Sequence, residues 1–394
     1  MSTDERSWLS NRTAIVGIGN TKFAKSGAYA EIGAEVLVVE AILAACEDAG
    51  ISAADIDGFS SNAAPLEPGD LAAAFGGEGL RYTAQTWGGG GGAMAGAYLN
   101  AAMAVATGQA NYVAIYKGIV GRRREAASAP GFPPANRPVP YTLPHGLISP
   151  GHVFALAARR HMHRYGTTTE HFAEVAINAR LMAANNPNAR FRDPINIEDH
   201  HNSPMIVDPF RLLDFCMQSD VGAAVIITSA ERARDLRQDP VYLAGAAMGS
   251  VPRWGQGMFG GYNMDDEDFA SAGQRTVAEE LYRNAGLGPN DLDVAQIYDH
   301  FTGMFLMELE DFGLCKKGES GPFVADGHTR IGGSIPVNTH GGNLAEVFGH
   351  GITHVIEGVR QLRGTSPNQV PAAEVCLVVA GSSPAPTSAM ILCK

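Results

Sequence analysis

The sequence has few cysteines and little charge for its length, and both shortages narrow what the protein can be. Its five cysteines are odd in number and widely spaced among 394 residues (Cys46, Cys216, Cys315, Cys376, Cys393). That spacing argues against a disulfide framework and against a zinc cluster. Charged residues make up 18% of the chain, with a net charge of −12. An acidic balance of this size argues against broad binding to nucleic acids or anionic membranes.

Long apolar runs and an apolar leader are also missing. No stretch reaches the roughly 20 apolar residues that span a bilayer, and residues 1–11 are polar and charged, unlike a secretory signal. We therefore expect a cytoplasmic globular protein. With 45% hydrophobic residues, the chain is long enough for two domains or for one large unit of two parts.

The sequence does contain an unusual run of five glycines at 88–92, followed by the small residues 93–97. Glycine is costly within a helix, but a glycine cluster that opens a helix brings the backbone close to a ligand and presents free N–H groups to an oxyanion. The alternative is a flexible surface loop, which the apolar flanks disfavour. A basic run at 122–124 is either a solvated loop or a site for a phosphorylated ligand, with Arg122 and Arg123 as its binding residues.

Two halves of the chain share one organisation. Each has an apolar strand pattern, a helix that ends at glycine, an Asp-(Ile/Leu)-Asp segment, and then a second helix followed by a second apolar strand. These features lie at 13–18, 34–48, 55–57, 94–107 and 112–116, and again at 241–245, 276–284, 291–293, 351–362 and 375–379. Such alternation predicts an α/β sheet that is buried on both faces. The repetition predicts a duplicated fold with a site between its halves.

A long segment interrupts the first half. It begins with proline-rich residues 130–144 and continues with predicted helices around 150–165 and 170–185. Long insertions of this kind often form a lid or a substrate-binding cap. We expect an N-terminal half of residues 1–120 plus 216–238, an inserted cap of 121–215, and a C-terminal half of 239–394. His161 and His163 lie on different faces of the first predicted helix, which indicates surface positions.

Four short motifs occur in order along this layout. They are Gln-Ser-Asp at 218–220, Ala-Gln-Ile-Tyr-Asp-His-Phe-Thr at 295–302, Asn-Thr-His-Gly-Gly-Asn-Leu at 338–344 and Gln-Leu-Arg-Gly at 361–364. Over nearly its whole length the chain resembles the thiolase superfamily, and in particular its sterol-carrier-protein type, also known as lipid-transfer proteins. The resemblance implies a duplicated thiolase fold with five layers, α-β-α-β-α. It also implies a tight dimer and a coenzyme A thioester as substrate, with no other cofactor bound by the chain.

The residues that carry out thiolase chemistry are replaced. An acyl-enzyme needs a thiolate and a nearby base. Matched on the family's pattern, the nucleophilic cysteine falls at Gly91, the histidine of its Gly-His-Pro motif falls at Phe348, and its second cysteine falls at 379–381, where no cysteine stands. Cys376 is close by, but it lies in a predicted strand and is expected to be buried and inert. A covalent thioester is therefore not expected.

The same pattern is similar to that of the steroid side-chain aldolases, a branch with glycine at the nucleophile position. This similarity implies a retro-aldol cleavage of a β-hydroxyacyl-CoA with a bulky or steroid acyl group. It also implies a small zinc-ribbon/OB-fold companion protein, giving a heterotetramer. The chemistry needs a base for the β-hydroxyl, donors for the thioester enolate and an acid. The alternatives are a non-catalytic acyl-CoA or lipid-binding subunit and a thiolase-type acyltransferase.

Tyr298 is the first catalytic candidate, because the aldolases have tyrosine at this position. Phenols have a pKa of about 10, so action as a base requires a lowered pKa or a relay partner, for which His300 is suited. The alternative is a packed aromatic ring. Phe348 carries no proton where the aldolases have a second tyrosine, so it is predicted only to contact substrate.

Other polar and glycine residues complete the predicted site. His350 and His340 are candidates for the missing acid or base, with a structural role open for each. Asn338 is expected either to position water or the thioester carbonyl, or to form a turn. Backbone groups at four glycines are predicted to contact the substrate: Gly90, Gly91, Gly341 and Gly342. His350 and His354 have the i, i+4 spacing of metal ligands but no evident carboxylate partner, so no metal is predicted.

Overall fold

The computed structural model describes residues 7–62, 66–87, 90–121, 143–147, 149–253, 265–381 and 386–394. The strands in these ranges are β1 (Thr13–Asn20), β2 (Ala24–Lys25), β3 (Gly58–Ser61), β4 (Tyr82–Gln85), β5 (Tyr112–Ile119), β6 (Met205–Val207), β7 (Phe210–Arg211), β8 (Ser219–Ser229), β9 (Val241–Gly249), β10 (Val294–Gln296), β11 (Val375–Gly381) and β12 (Thr387–Cys393). The helices are α1 (Ala34–Ala49), α2 (Pro68–Phe75), α3 (Met94–Ala106), α4 (Pro150–Tyr165), α5 (Thr169–Ala184), α6 (Ile197–Asn202), α7 (Ala230–Ala233), α8 (Asp266–Phe269), α9 (Arg275–Ala285), α10 (Thr302–Asp311), α11 (Ser320–Ala325), α12 (Gly342–Ala345) and α13 (Ile352–Arg363).

The large sheet repeats one strand arrangement twice. From its centre outward, one half runs β1-β8-β5-β3 and the other runs β9-β12-β11-β10. In both halves the first two pairings are antiparallel and the third is parallel. A short antiparallel pairing of β1 with β9 joins the halves, and β4 extends the first half at its edge. The same order and direction in both halves confirm the predicted duplicated α/β fold.

Helices cover both faces of each half of the sheet. In β5, Tyr116 faces a core formed with α1, whereas Ile115 faces a second core formed with α3 and α13. In β11, Cys376 faces that same central core, whereas Leu377 faces a third core formed with α9 and α10. Because side chains alternate along a strand, α3 and α13 lie between the two halves of the sheet. The order of layers is therefore α-β-α-β-α, as predicted.

The repeated Asp-(Ile/Leu)-Asp segments have a structural role that explains their position. The carboxylate of Asp57 accepts hydrogen bonds from the amides of Asn111 and Tyr112, at 2.8 and 3.0 Å, where β5 begins. Asp293 accepts from the amides of Glu374 and Val375, at 2.8 and 2.9 Å, where β11 begins. Each carboxylate fixes the start of the neighbouring parallel strand. The two halves therefore share the same carboxylate–amide hydrogen bonds at equivalent places.

The described part of the inserted segment packs on the C-terminal half. Helix α5 packs against α10, α11 and α12, and α4 packs against α10. The prediction of a surface position for His161 is wrong: the residue is 2% exposed and bonds Thr167 Oγ1 and the Glu310 carboxylate, at 2.8 and 3.1 Å. Helix α4 contacts both α10 and β6, so a residue outside its main apolar face can still be buried. Helical spacing alone does not show this. The proline-rich residues 130–142 lie outside the described ranges, and the domain boundaries stay a prediction.

Among the described residues, no helix has both the length and the apolar character that crossing a membrane requires.

Candidate active site

The described part of the glycine run, residues 90–92, reaches the ring of Tyr298. Gly90 is exposed and Gly91 is buried, while Gly88 and Gly89 lie outside the described residues. The amide of Gly91 faces the phenolic oxygen of Tyr298 as a donor, and a Cβ atom added at Gly90 would lie 3.9 Å from the same oxygen. A Cβ atom added at Gly91 would lie 2.5 Å from Cε2 and 2.8 Å from Cζ of that ring. No side chain fits at this position without displacing the tyrosine.

Three glycines allow backbone segments to meet beneath this contact. A Cβ at Gly91 or at Gly351 would collide with the carbonyl oxygen of Ala380, and a Cβ at Gly381 would collide with the peptide that joins Gly91 to Gly92. Gly351 also has a φ of +86°, a conformation that other residues adopt only with strain. The glycine run, the start of α13 and the end of β11 therefore form one junction below Tyr298.

Tyr298 follows β10 and is surrounded by aromatic rings. It is 3% exposed, and its ring centroid lies 5.0 Å from that of His300, 5.9 Å from His354 and 6.5 Å from Phe348. Burial raises the pKa of its phenol well above the ordinary value, and the hydrogen bond from Gly91 opposes this only in part. At neutral pH the side chain is therefore a neutral phenol. Such a group donates a proton more readily than it accepts one.

Two predicted histidines of this region are neutral at physiological pH: His300 lies beside Tyr298, and His350 lies beside Phe348. Burial lowers the pKa of His300 to about 3, although a hydrogen bond to the Tyr298 backbone opposes the shift. Burial and the positive charge of Lys117 lower the pKa of His350 to about 3. The His350 ring contacts Phe348 at 4.7 Å, and its Nδ1 atom is buried with no hydrogen-bond partner among the described residues. A neutral imidazole of this kind can accept a proton.

The predicted glycine pair closes around a carboxylate that sequence reasoning missed. The amides of Asn343 and Leu344 donate to Asp299 at 2.7 and 3.2 Å, and a Cβ at Gly342 would collide with the same carboxylate. Asp299 also lies 3.2 Å from Nε2 of His354. The backbone next to the glycine pair therefore binds an internal anion, and direct contact of Gly341 and Gly342 with a substrate stays a prediction.

Asn338 and His340 have mainly internal partners. The Asn338 side chain accepts from the amide of Ile297 and donates to its carbonyl, both at 2.7 Å, and its backbone has a φ of +52°. These contacts join it to the end of β10, and both predicted roles stay predictions. His340 is fully buried, with Nε2 3.6 Å from Glu346 and its ring 4.9 Å from that of His354. Burial lowers its pKa. His340 therefore contacts the Asp299–His354 pair through the ring of His354. Its catalytic role stays a prediction.

Arg122 and Arg123, the predicted anion-binding residues, lie outside the described residues. In the described part of the chain no cluster of three or more His, Cys, Asp or Glu side chains is arranged to hold a metal ion. Cys376, expected to be buried and inert, is 0% exposed, and burial raises the pKa of its thiol.

Two further residues of the site escaped sequence reasoning. Lys117 is 3% exposed at the end of β5, and Asn62, which follows β3, is 0% exposed. They bond each other, and Asn62 also bonds Gly90. A single charged residue within the apolar strand 112–119 was the available signal, because lysine is seldom buried without a specific partner.

An apolar cavity of about 170 Å³ adjoins this region. Most of its lining comes from the inserted segment, including Arg180 and Phe215, and Met217 and Leu344 complete the wall. Phe215 also packs on Phe301 with ring centroids 4.9 Å apart. The cavity therefore borders the segment that carries Tyr298 and His300.

Comparison with known proteins places this geometry in a family. A family model described as "Thiolase C-terminal domain-like" matches residues 256–393. The 17-hydroxy-3-oxo-4-pregnene-20-carboxyl-CoA lyase of Mycobacterium tuberculosis is 41% identical, covering 98% of this chain and 100% of the relative. The steroid side-chain-cleaving aldolase of Thermomonospora curvata is also 41% identical, covering 98% of each chain. The chain belongs to the aldolase branch of the thiolase superfamily.

Solved structures agree with this membership. The Ltp2-ChsH2(DUF35) aldolase has a TM-score of 0.89 at 40% identity over 98% of both chains. An acetyl-CoA acetyltransferase from Syntrophomonas wolfei has a TM-score of 0.66 at 16% identity, covering 98% of this chain and 99% of the other, and shares the fold alone. The predicted superfamily, the duplicated thiolase fold and the class of carbon–carbon lyase are thereby confirmed.

Proposed function

We propose that the protein cleaves a β-hydroxyacyl-CoA by a retro-aldol reaction at Tyr298. The contact of Gly91 with Tyr298 carries this proposal. It removes the space for a nucleophilic side chain and replaces it with a phenol that accepts a backbone hydrogen bond. A site of this kind is built for proton transfer and enolate stabilisation rather than for acyl transfer.

The proposed roles follow from the protonation states. His350 removes the proton of the β-hydroxyl, because it is neutral and its Nδ1 atom lacks a partner among the described residues. The oxygen electrons then form the product carbonyl, the Cα–Cβ bond breaks, and its electron pair enters the thioester as an enolate. Tyr298 donates its proton to the enolate carbon, because burial keeps the phenol neutral. One proton leaves the substrate and one returns. His350 then passes the proton that it took back to the Tyr298 phenolate through solvent, which restores both groups, so no oxidant or nucleophile is required.

Other residues bind or orient the substrate in this proposal. His300 packs beside Tyr298, with the two rings tilted by 38°, and fixes its ring, while the backbone at Gly90 and the side chain of Phe348 form the wall of the site. His340 acts indirectly, through the Asp299–His354 pair. Arg122 and Arg123 bind phosphate groups of coenzyme A, and the backbone around Asn338, Gly341 and Gly342 borders the thioester.

The names of the relatives define the acyl group and the partners that we propose. Two of them act on steroid side chains, so we propose a steroid or similarly bulky acyl-CoA, whose apolar part extends toward the cavity at Phe215 and Leu344. The solved aldolase is a complex with a DUF35 protein. We therefore propose a homodimer that binds a small zinc-ribbon/OB-fold companion, giving a heterotetramer in the cytoplasm.

The direct test is cleavage by the co-expressed complex. Incubation with 17-hydroxy-3-oxo-4-pregnene-20-carboxyl-CoA should yield a steroid ketone and a shorter CoA ester, detected by mass spectrometry. Tyr298→Phe should lower kcat by at least about 100-fold, the usual contribution of a proton-transfer group. Tyr282→Phe is the matched control, because that hydroxyl bonds Phe312 on the outer layer. Full activity of Tyr298→Phe would exclude the assigned role.

Phe348 supports a second candidate, a non-catalytic acyl-CoA-binding subunit. Its ring lies 6.5 Å from that of Tyr298 but carries no proton. This reading predicts tight binding of the CoA ester without cleavage, and a gain of cleavage in Phe348→Tyr. Cleavage by the unmodified complex would reject it.

A further inference from the structure

Lys117 is a buried cation whose contacts lead toward the reacting groups. It is the charged residue of β5 (YVAIYKGI) and is 3% exposed. Burial of an ammonium group is costly unless hydrogen bonds replace its water. Its Nζ atom donates to the backbone oxygen of Asn62 at 2.5 Å and to its Oδ1 atom at 2.9 Å. Both acceptors belong to one residue, so the lysine fixes both the backbone and the side chain of Asn62.

Asn62 in turn holds the glycine run. It directly follows β3, which pairs in parallel with β5, and it is fully buried. Its Nδ2 atom donates to the carbonyl oxygen of Gly90 at 2.8 Å. That carbonyl belongs to the peptide whose N–H group is the amide of Gly91, the donor to Tyr298. A peptide unit is planar, so a contact that fixes its oxygen also fixes the direction of its N–H group.

We propose that Lys117 and Asn62 are positioning residues for the reaction: Lys117 fixes Asn62, Asn62 fixes the Gly90–Gly91 peptide, and this peptide directs its amide at the hydroxyl of Tyr298. The catalytic part of this inference rests on the proposed retro-aldol function. Its structural part concerns only the orientation of one peptide and can be measured without a substrate.

A glycine run needs such contacts more than other sequences do. Glycine loses more backbone freedom on ordering than any other residue, so contacts to the backbone of residues 90–92 matter more than they would in another sequence. Ser388 Oγ fixes the other side of the run by donating to the carbonyl of Gly92 at 2.7 Å. Asn62 therefore holds the carbonyl before Gly91 and Ser388 holds the carbonyl after it, although these two residues lie far apart in the sequence. Burial and the nearby ammonium group together lower the pKa of His350, so the charge of Lys117 is also felt at this ring.

Two substitutions separate the steps of this chain. Lys117→Met keeps a similar volume and removes the donor to Asn62. Asn62→Asp keeps acceptors for Lys117 and removes the donor to Gly90. Lys316→Met is the matched control, because that side chain is 86% exposed and pairs with the exposed carboxylate of Glu319. Thermal unfolding establishes that each variant is folded before it is tested.

Hydrogen exchange and kinetics give independent answers. In both Lys117→Met and Asn62→Asp, amide exchange in the peptide that contains Gly90–Met94 should be at least about tenfold faster, whereas Lys316→Met should match the unmodified protein. In the complex, kcat for the steroid CoA ester should fall about 100-fold, as expected for misplacement near 1 Å, with KM within about twofold. The double variant should lose no more than the worse single variant, since both act on one peptide.

Unchanged exchange in both folded variants would overturn the positioning role. Additive losses in the double variant would overturn the single chain of contacts. If exchange rises as expected but the unmodified complex cleaves no β-hydroxyacyl-CoA, the proposed function fails while the orientation of the Gly91 amide by Lys117 and Asn62 stands.

Discussion

Replacing Gly91 with alanine tests the central contact of the site. The added methyl carbon would lie 2.5 Å from Cε2 of Tyr298 and closer still to the carbonyl oxygen of Ala380, whereas ordinary contact begins at 3.4 Å. Ala380 belongs to β11, at an irregularity in the pairing of this strand with β12. Relief of both contacts therefore requires the backbone at Ala380 and the tyrosine ring to move apart from the methyl group by about 1 Å. Overpacking of this size costs about 1–3 kcal/mol, and a 1 Å displacement of a reacting group lowers the rate about 100-fold.

The assay combines thermal unfolding with cleavage of the CoA ester by the complex. Gly91→Ala should lower the free energy of unfolding by about 1–3 kcal/mol, which is seen as a lower melting temperature. It should also lower kcat about 100-fold. Gly69→Ala is the control: the position lies in α2, no atom lies within 4 Å of its added Cβ, and a gain of about 0.4–1 kcal/mol is usual for such a change. An unchanged melting temperature together with a full cleavage rate in Gly91→Ala would refute the tight contact with Tyr298.

Three further predictions concern titratable groups. His350→Asn should lower kcat about 100-fold or more; with a pKa of about 3, protonation of His350 should not reduce the rate between about pH 7 and 5. Burial raises the pKa of Glu346 from 4.5 to about 8. Between these two pH values the folded state keeps a proton that the unfolded state has released, so the free energy of unfolding falls as the pH rises from 4.5 to about 8. Glu346→Gln should remove that fall, worth several kcal/mol, in urea titrations at pH 5 and 8. Iodoacetamide at neutral pH should leave Cys46 and Cys376 of the native protein unmodified, because burial raises both thiol pKa values, and Cys376→Ser should keep full activity; labelling of either thiol would contradict this.

The duplicated architecture was predictable because each element carries a local signal. Apolar strands of five or more residues, helices that end at glycine, and the paired aspartates occur in both halves in the same order. Gly50, Gly286 and Gly364 adopt the left-handed conformation at the ends of α1, α9 and α13. These signals depend on neighbouring residues alone, so sequence spacing is enough to detect them.

The site was predictable only in part, because most of its contacts join distant segments. Tyr298 and Gly91 were identified separately, and the structure supplies their contact. Lys117, Asn62 and Asp299 were not predicted as site residues, because their hydrogen-bond partners are 28 to 55 residues away in sequence. The raised pKa of Tyr298 could not be predicted from the sequence either. It results from burial of the phenol, and the motif at 295–302 does not show how deeply that side chain is buried.

The glycine junction beneath Tyr298 bears on how easily the chain could regain thiolase chemistry. A cysteine at position 91 would require room that Tyr298 and Ala380 occupy, and Gly351 and Gly381 hold the adjoining backbone in place. Gly91→Cys alone therefore yields a displaced tyrosine, not a working nucleophile. Thiolase chemistry at this position would need the phenol and the surrounding backbone to change together, so a single substitution at position 91 is not enough to create it.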